Sequence, residues 1–70
     1  MVTMQSVRST NISKIGYDKE KGLLVVQFTN GSEYEYNNVD SLVAERFLTS
    51  DSKGKFFAQN IKNSYEGKRK

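Results

Sequence analysis

Cysteine and histidine are both absent from this 70-residue chain, and their absence excludes several kinds of site. A chain without cysteine has no disulfide and no thiolate metal ligand. A chain without histidine has no Ser-His or Cys-His nucleophile system, and it lacks the usual acid–base group that titrates near neutral pH. We therefore expect a protein that is not an enzyme, with no catalytic residues, no metal and no cofactor.

Long apolar segments are also missing. No run of residues is apolar enough to cross a bilayer, and the opening MVTMQSVRST lacks the apolar core of a signal peptide. We expect a cytoplasmic protein with no membrane partner.

Apolar residues are few, but they suffice for one small domain. Leu, Ile, Val and Phe make up 17 of the 70 residues, which is above the roughly 20% below which disorder is expected. A chain of this length buries only roughly 60% of its unfolded surface. We therefore expect a thin core whose stability is marginal or is helped by self-association.

The net charge of +3 hides an uneven distribution. Residues 1–52 carry five basic and seven acidic side chains, whereas residues 53–70 carry six basic and one acidic, a net charge of +5. Clustered positive charge is typical of surfaces that bind polyanions. The alternative interpretation is a tail that only keeps the protein soluble.

The spacing of the apolar residues changes once along the chain. The segments NISKIGYD, GLLVVQFT and SEYEYN predict three short strands, and Gly16 weakens the first of them or marks a bulge. In VDSLVAERFLTS the spacing becomes helical, with Asp40 among the candidate N-caps. KFFAQNIKNSYEG then places Phe57, Ile61 and Tyr65 on one helical face.

These segments predict the α+β fold class. We expect a three-stranded antiparallel meander followed by two C-terminal helices that pack on one sheet face. Residues 1–8 are expected to form a flexible N-terminus, residues 9–66 a single domain, and residues 67–70 a basic tail.

The Asn-Gly pair in FTNGSEYEY, residues 28–36, predicts a hairpin whose loop length decides where Tyr34 and Tyr36 point. A two-residue loop would place Val26 and Phe28 beside two glutamates. A three-residue loop with Gly31 in the bulge position pairs Val26 with Tyr34 and puts both tyrosines on the apolar face. The shorter loop would forfeit roughly 1.5–3 kcal/mol of burial for each large side chain, so we predict the longer one. Both tyrosines then face the core and are not an exposed stacking platform.

Several short motifs occur in a recognisable order and spacing. They are Ser9-Thr10-Asn11-Ile12; Ile15-Gly16-Tyr17-Asp18; the strand residues Leu24, Val26 and Phe28 followed by Gly31, Tyr34, Tyr36 and Val39; and Ser52-x-Gly54-x-x-Phe57-x-x-x-Ile61. This set resembles the KTSC domain family over roughly residues 9–65. That family occurs at the C-terminus of lysyl-tRNA synthetase-type proteins and as short stand-alone proteins in bacteria and phages. Asp40, where the family usually has proline, and Ser50, where a small apolar residue is common, depart from its pattern. The resemblance implies binding of RNA or another nucleic acid and implies no catalytic residues.

The candidate anion-binding residues lie near the C-terminus. Ser52-Lys53-Gly54-Lys55 precedes the last predicted helix, where free backbone N–H groups, a glycine that permits close approach and two lysines favour a phosphate. The alternative is a helix cap at a tight corner. Further basic residues extend the predicted surface: Lys62, Lys68, Arg69 and Lys70. Phe56 and Tyr17 are candidates for base stacking if they are exposed, whereas core packing is the alternative.

Two hypotheses for the function follow. The first is a non-enzymatic module that binds nucleic acid, with RNA favoured, through the basic C-terminal helix and the Ser52–Lys55 corner. The second is a phage- or bacteria-encoded module that binds a protein partner or forms a homodimer. It would use the Leu23/Val25 sheet face or a free sheet edge.

Overall fold

A computed structural model describes residues 3–70 of the chain. Within this range the elements are, in order: β1 (Met4–Ser6), β2 (Ile12–Asp18), β3 (Leu23–Phe28), β4 (Glu33–Tyr36), α1 (Ser41–Thr49), α2 (Lys53–Phe56) with a π-helical turn (Phe57–Ile61) directly after it, and β5 (Gly67–Arg69). The predicted α+β class with two helices is confirmed.

The sheet has five strands in the described range, so the prediction of three strands is wrong in number. The strands lie in the order β1-β2-β3-β4-β5, and every neighbouring pair is antiparallel. The two additional strands are the edges. Residues 4–6, expected to belong to a flexible N-terminus, pair with β2, and residues 67–69, expected to be a tail, pair with β4. Residues 1 and 2 of the predicted flexible segment lie outside the described range.

The hairpin register is confirmed. Val26 pairs with Tyr34, and Leu24 pairs with Tyr36. The Phe28 N–H donates to the Ser32 carbonyl at 2.8 Å, and the loop between them has three residues. Gly31 has a φ of 93°, a backbone conformation that a residue with a Cβ adopts only at a cost. Tyr36 is therefore buried, and Tyr34 is half-buried against the core.

A bulge in β2 lies at Ser13 and not at Gly16. The register shifts between Ile12, which pairs with Phe28, and Lys14, which pairs with Gln27. Because the extra residue changes the alternation, Ile12 and Ile15 both reach the core. Gly16 lies on the opposite face of the sheet, between β1 and β3.

The two helices cover one face of the sheet, as predicted. Asp40 caps α1, since its carboxylate accepts a hydrogen bond from the Leu42 N–H at 2.8 Å. The core cluster joins strand and helix residues: Ile12, Ile15, Leu24, Val26, Tyr36, Val39, Ala44, Phe47, Phe57 and Ile61. The last helix ends at Ile61, one turn earlier than the predicted stripe, and Tyr65 packs against the core from the segment that follows.

Strand β5 approaches Tyr36 so closely that only glycine fits at its first position. A Cβ on Gly67 would lie 2.8 Å from Cζ of Tyr36 and 3.1 Å from its hydroxyl. The ring of Tyr36 therefore lies over the backbone of β5, and the C-terminal strand completes the burial of this side chain.

Candidate functional site

The Ser52–Lys55 corner lies in a polar cleft of about 300 Å³. One wall is the predicted corner itself, and the other is the loop between β1 and β2. We call this the corner cleft and define it by its lining residues: Arg8, Ser9, Thr10, Asn11, Asp51, Ser52, Lys53, Gly54 and Lys55. Three basic side chains and a single acidic one line it, so the cleft attracts anions.

Arg8 and Lys55 are the cations of the corner cleft that face solvent. Both side chains are exposed, and neither forms a salt bridge with any other residue from 3 to 70. Because α2 has only four residues in α geometry, the attraction for an anion rests on these side chains and not on a helix dipole.

Lys53 and Ser52 have structural roles in the same corner. The ammonium group of Lys53 donates to the Ser50 carbonyl at 2.7 Å, just after α1 ends. Ser52 makes no side-chain cap to α2, although its carbonyl accepts from the Phe56 N–H at 2.9 Å. Ser52 thus does not cap α2 with its hydroxyl, as the alternative interpretation of this corner would require, and the exposed residue lines the cleft.

The opposite wall was missed by sequence reasoning. The Ser9 hydroxyl accepts hydrogen bonds from the backbone N–H groups of Asn11 and Ile12, at 3.2 and 3.3 Å, which folds this loop tightly. A Cβ on Gly54 would lie 3.5 Å from Nδ2 of Asn11, so the two walls are close. The only sequence signal for this contact is that Ser9–Ile12 and Ser52–Gly54 both belong to the KTSC-like motifs.

A second cavity, of about 420 Å³, opens beside the hairpin. We call it the aromatic groove, and its lining combines four aromatic rings with polar groups and one cation: Phe28, Asn30, Ser32, Tyr34, Tyr36, Phe57, Lys62 and Gly67. The rings pack edge to face, with centroids 5.7 Å apart for Phe28 and Tyr34 and 5.3 Å apart for Phe28 and Phe57. Tyr34 and Phe28 are only half-buried, so the face predicted to be core is open along this groove.

The hydroxyl of Tyr36 is available in the aromatic groove. The residue as a whole is 5% exposed, but its hydroxyl is accessible to solvent, since no buried polar side-chain atom among residues 3–70 lacks a partner and none of these residues bonds to this hydroxyl. Burial, followed by the proximity of Tyr34, raises the pKa of Tyr36 above its ordinary value. Like any tyrosine hydroxyl, it is protonated at neutral pH and can donate or accept a hydrogen bond.

A smaller cleft joins the two cavities. It shares Phe28, Phe57 and Lys62 with the aromatic groove, and it shares Asn11 and Gly54 with the corner cleft. The π-helical turn forms part of its wall, because Phe57 and Ala58 line the cleft. The Lys62 N–H donates to the Phe57 carbonyl at 2.9 Å across this turn. Turns of this rare type frequently lie at functional sites. We call the three joined cavities the binding track.

The remaining basic residues divide between two faces. Because β5 alternates, Arg69 pairs with Tyr34 on the helix face, whereas Lys68 pairs with Glu35 on the opposite face. The ammonium group of Lys70 lies 3.5 Å from a Glu33 carboxylate oxygen and 3.8 Å from one of Glu35. Lys68 and Lys70 therefore lie on the face opposite the track, whereas Lys55 and Lys62 line the track and Arg69 lies on the helix face without lining it.

The two candidate stacking residues are partly buried and pack against the core. Phe56 packs parallel to Phe47, with ring centroids 5.7 Å apart and an interplanar angle of 13°. The hydroxyl of Tyr17 donates to the Val39 carbonyl at 2.6 Å. Burial, followed by the Asp40 carboxylate, raises the pKa of Tyr17. Both residues are thus half-buried, and neither lines the binding track.

The outer sheet face has little exposed apolar surface. Val25 is 3% exposed, and Leu23 is half-buried among charged neighbours. Among residues 3–70, Leu42 is the exposed large hydrophobic residue, at 54%. Both sheet edges are three-residue strands, and β5 carries the basic residues that discourage pairing with another strand.

No group of three or more acidic, histidine or cysteine side chains within residues 3–70 is placed to hold a metal ion. No helix in the same range is long and apolar enough to cross a membrane.

Comparisons with known proteins agree with the motifs and the fold. The chain is 35% identical over 57 residues to a protein of Stutzerimonas stutzeri strain A1501, covering 81% of this chain and 80% of the relative. It is 38% identical over 53 residues to a protein of Tsukamurella paurometabola, covering 76% and 79%. The crystal structure of a KTSC domain protein from Yersinia pestis superposes with a TM-score of 0.93 at 32% identity and covers 100% of this chain and 99% of that one. The family model of the KTSC domain matches residues 8–65. The chain therefore belongs to the KTSC domain family.

Proposed function

We propose that this protein is a non-enzymatic module that binds nucleic acid, with RNA favoured, through the corner cleft and the basic residues beside it. The observation that carries the proposal is the convergence of Arg8 and Lys55, both exposed and without ion-pair partners in the described chain, in one polar cleft. Serine, threonine and asparagine side chains line the same cleft, and these groups commonly bind phosphate oxygens.

The close approach of the two walls supports this function. Gly54 carries no side chain, so a phosphate oxygen can reach the backbone of the corner beside Asn11. Lys62 lies along the same track and supplies a cation beyond the corner cleft. A row of separated cations is suited to successive phosphates of one strand. RNA is favoured over DNA because the KTSC family resemblance implies it.

The test is the affinity for a fluorescently labelled RNA, measured by anisotropy at about 50 and 200 mM salt. The double variant Arg8→Glu/Lys55→Glu is expected to bind roughly tenfold or more weakly, and to show a salt slope that is shallower by about 1.4. Lys53 is left unchanged because its ammonium group holds the end of α1, and its loss would confound folding with binding.

The matched control is Lys14→Glu/Lys19→Glu, which changes the net charge equally. Both of these lysines are exposed, Lys14 in β2 and Lys19 in the turn after it, and neither lines the binding track. The control is expected to keep most of the affinity. Equal losses in the two double variants, or no RNA binding by the wild-type protein, would overturn the proposal.

A further inference from the structure

The aromatic groove has the lining expected for a planar ring. Its volume of about 420 Å³ lies within the roughly 300–1,000 Å³ that ligand sites occupy. Phe28 and Tyr34 line the groove and are only half-buried, so part of each ring faces it. Every nucleobase has a π-face, and stacking on aromatic side chains binds bases without regard to sequence.

Tyr36 adds a polar group that the fold itself does not use. A tyrosine hydroxyl on a nearly buried residue ordinarily has a hydrogen-bond partner. This one makes no hydrogen bond within residues 3–70 and is not buried away from solvent, so it is open to a ligand in the groove beside Gly67. The edge of a base carries the donors and acceptors that would satisfy it.

The aromatic groove lies close to the corner cleft, and the small cleft between them shares residues with both. Lys62 lines both the groove and the cleft that leads to Gly54. Arg69 pairs with Tyr34 in the strand register, on the same sheet face, although it does not line the groove. A base in the groove therefore has Lys62 beside it, and Arg69 on the same sheet face, for the phosphates of its own strand.

We propose that the aromatic groove holds a base of a single strand whose backbone continues through the corner cleft, so that the preferred ligand is single-stranded. This inference rests on the proposed function. It adds a ligand class, because the bases of a duplex are paired and stacked on one another and enter such a groove only after they are flipped out.

The first test compares two variants at Tyr34. Tyr34→Leu keeps an apolar side chain against the core but removes the ring, whereas Tyr34→Phe keeps the ring and serves as the control. For a single strand of about eight nucleotides, Tyr34→Leu is expected to bind roughly 5- to 100-fold more weakly than Tyr34→Phe. Thermal unfolding of both variants verifies that each is folded.

The same titrations include a hairpin duplex of matched length. The wild-type protein is expected to bind the single strand on the order of tenfold more tightly than the duplex. Equal affinity for single strand and duplex, or equal affinity of Tyr34→Leu and Tyr34→Phe, would overturn this inference and leave the proposed function standing. Failure of the wild-type protein to bind any strand would overturn both.

A second test uses adenosine and uridine, which carry no phosphate and so report on the groove alone. Their addition is expected to shift backbone amide NMR signals of Ser32, Tyr34 and Gly67, with smaller shifts in Tyr36→Phe, which lacks the hydroxyl. Shifts confined to residues outside the groove, or none at millimolar nucleoside, would contradict a base site even if the charged corner binds RNA.

Discussion

Tyr36 is both a residue of the core and part of the lining of the aromatic groove. Its ring lies against Phe57 at a centroid distance of 5.7 Å and over the backbone of Gly67, while its hydroxyl has no partner in the described chain. Tyr17 differs, because its hydroxyl is held by the Val39 carbonyl. The sequence predicted the face on which Tyr36 lies, since the alternation of β3 and β4 determines it. It did not predict an unpartnered hydroxyl, because that depends on β5.

At this scale the structure predicts a loss of stability in alkali. The pKa values of Tyr17 and Tyr36 are raised, so in the folded state each hydroxyl keeps its proton at a pH where the unfolded chain has released it. The stabilisation is complete below pH of about 10 and is lost as the pH rises through the raised folded values. Denaturant midpoints measured between pH 8 and pH 11.5 are expected to fall above pH 10.

Two variants separate the contributions. Tyr36→Phe removes no hydrogen bond within the described chain, so it is expected to leave the stability at neutral pH almost unchanged and to flatten the alkaline loss. Tyr17→Phe removes the bond to Val39 and is expected to cost about 1 kcal/mol at neutral pH. An alkaline profile that is identical in the wild type and in both variants would contradict the account.

At the scale of elements, the hairpin and the edge strands show what local sequence can determine. The three-residue loop follows from an Asn-Gly pair and from the cost of placing Val26 and Phe28 beside glutamates, and both are local. Strands β1 and β5 have three residues each, too few to show an apolar pattern in the sequence. They form because each can hydrogen-bond to the free edge of a neighbouring strand. The corner cleft was not predicted for the same reason, because its second wall follows β1 and depends on the position of that short strand.

Strand β5 is expected to contribute to stability, which a solubilising tail would not. Deleting residues 67–70 removes the strand that covers Tyr36, and the free energy of unfolding is expected to fall by about 2 kcal/mol. The control, Lys68→Gln/Lys70→Gln, keeps the strand but removes its outer charges, including the ion pairs of Lys70. It is expected to lose less than about 1 kcal/mol, since such pairs near the surface contribute little. Equal denaturation midpoints for the deletion and the wild type would show that β5 is dispensable.

At the scale of the whole molecule, the fold separates charges that the sequence runs together. The basic residues after position 52 looked like a single surface, but β5 is a strand and sends its lysines to the outer face, where Glu33 and Glu35 offset them. Arg8, which sequence reasoning did not select, joins Lys55 on the helix side because the loop after β1 packs against the corner. The sequence therefore predicted a positive charge near the corner and identified Lys55. It could not predict the extent of the positive surface, because that extent depends on tertiary contacts.

The measurement that tests the central claim most directly is an NMR titration of the wild-type protein with a short single-stranded RNA at moderate salt. Binding in the track is expected to shift amide signals of the corner cleft and the aromatic groove, with Asn11, Gly54 and Tyr34 among them. Signals of the outer face, such as those of Lys14 and Leu23, are expected to stay in place. Shifts that cluster on the outer face, or a spectrum unchanged by the RNA, would contradict the account.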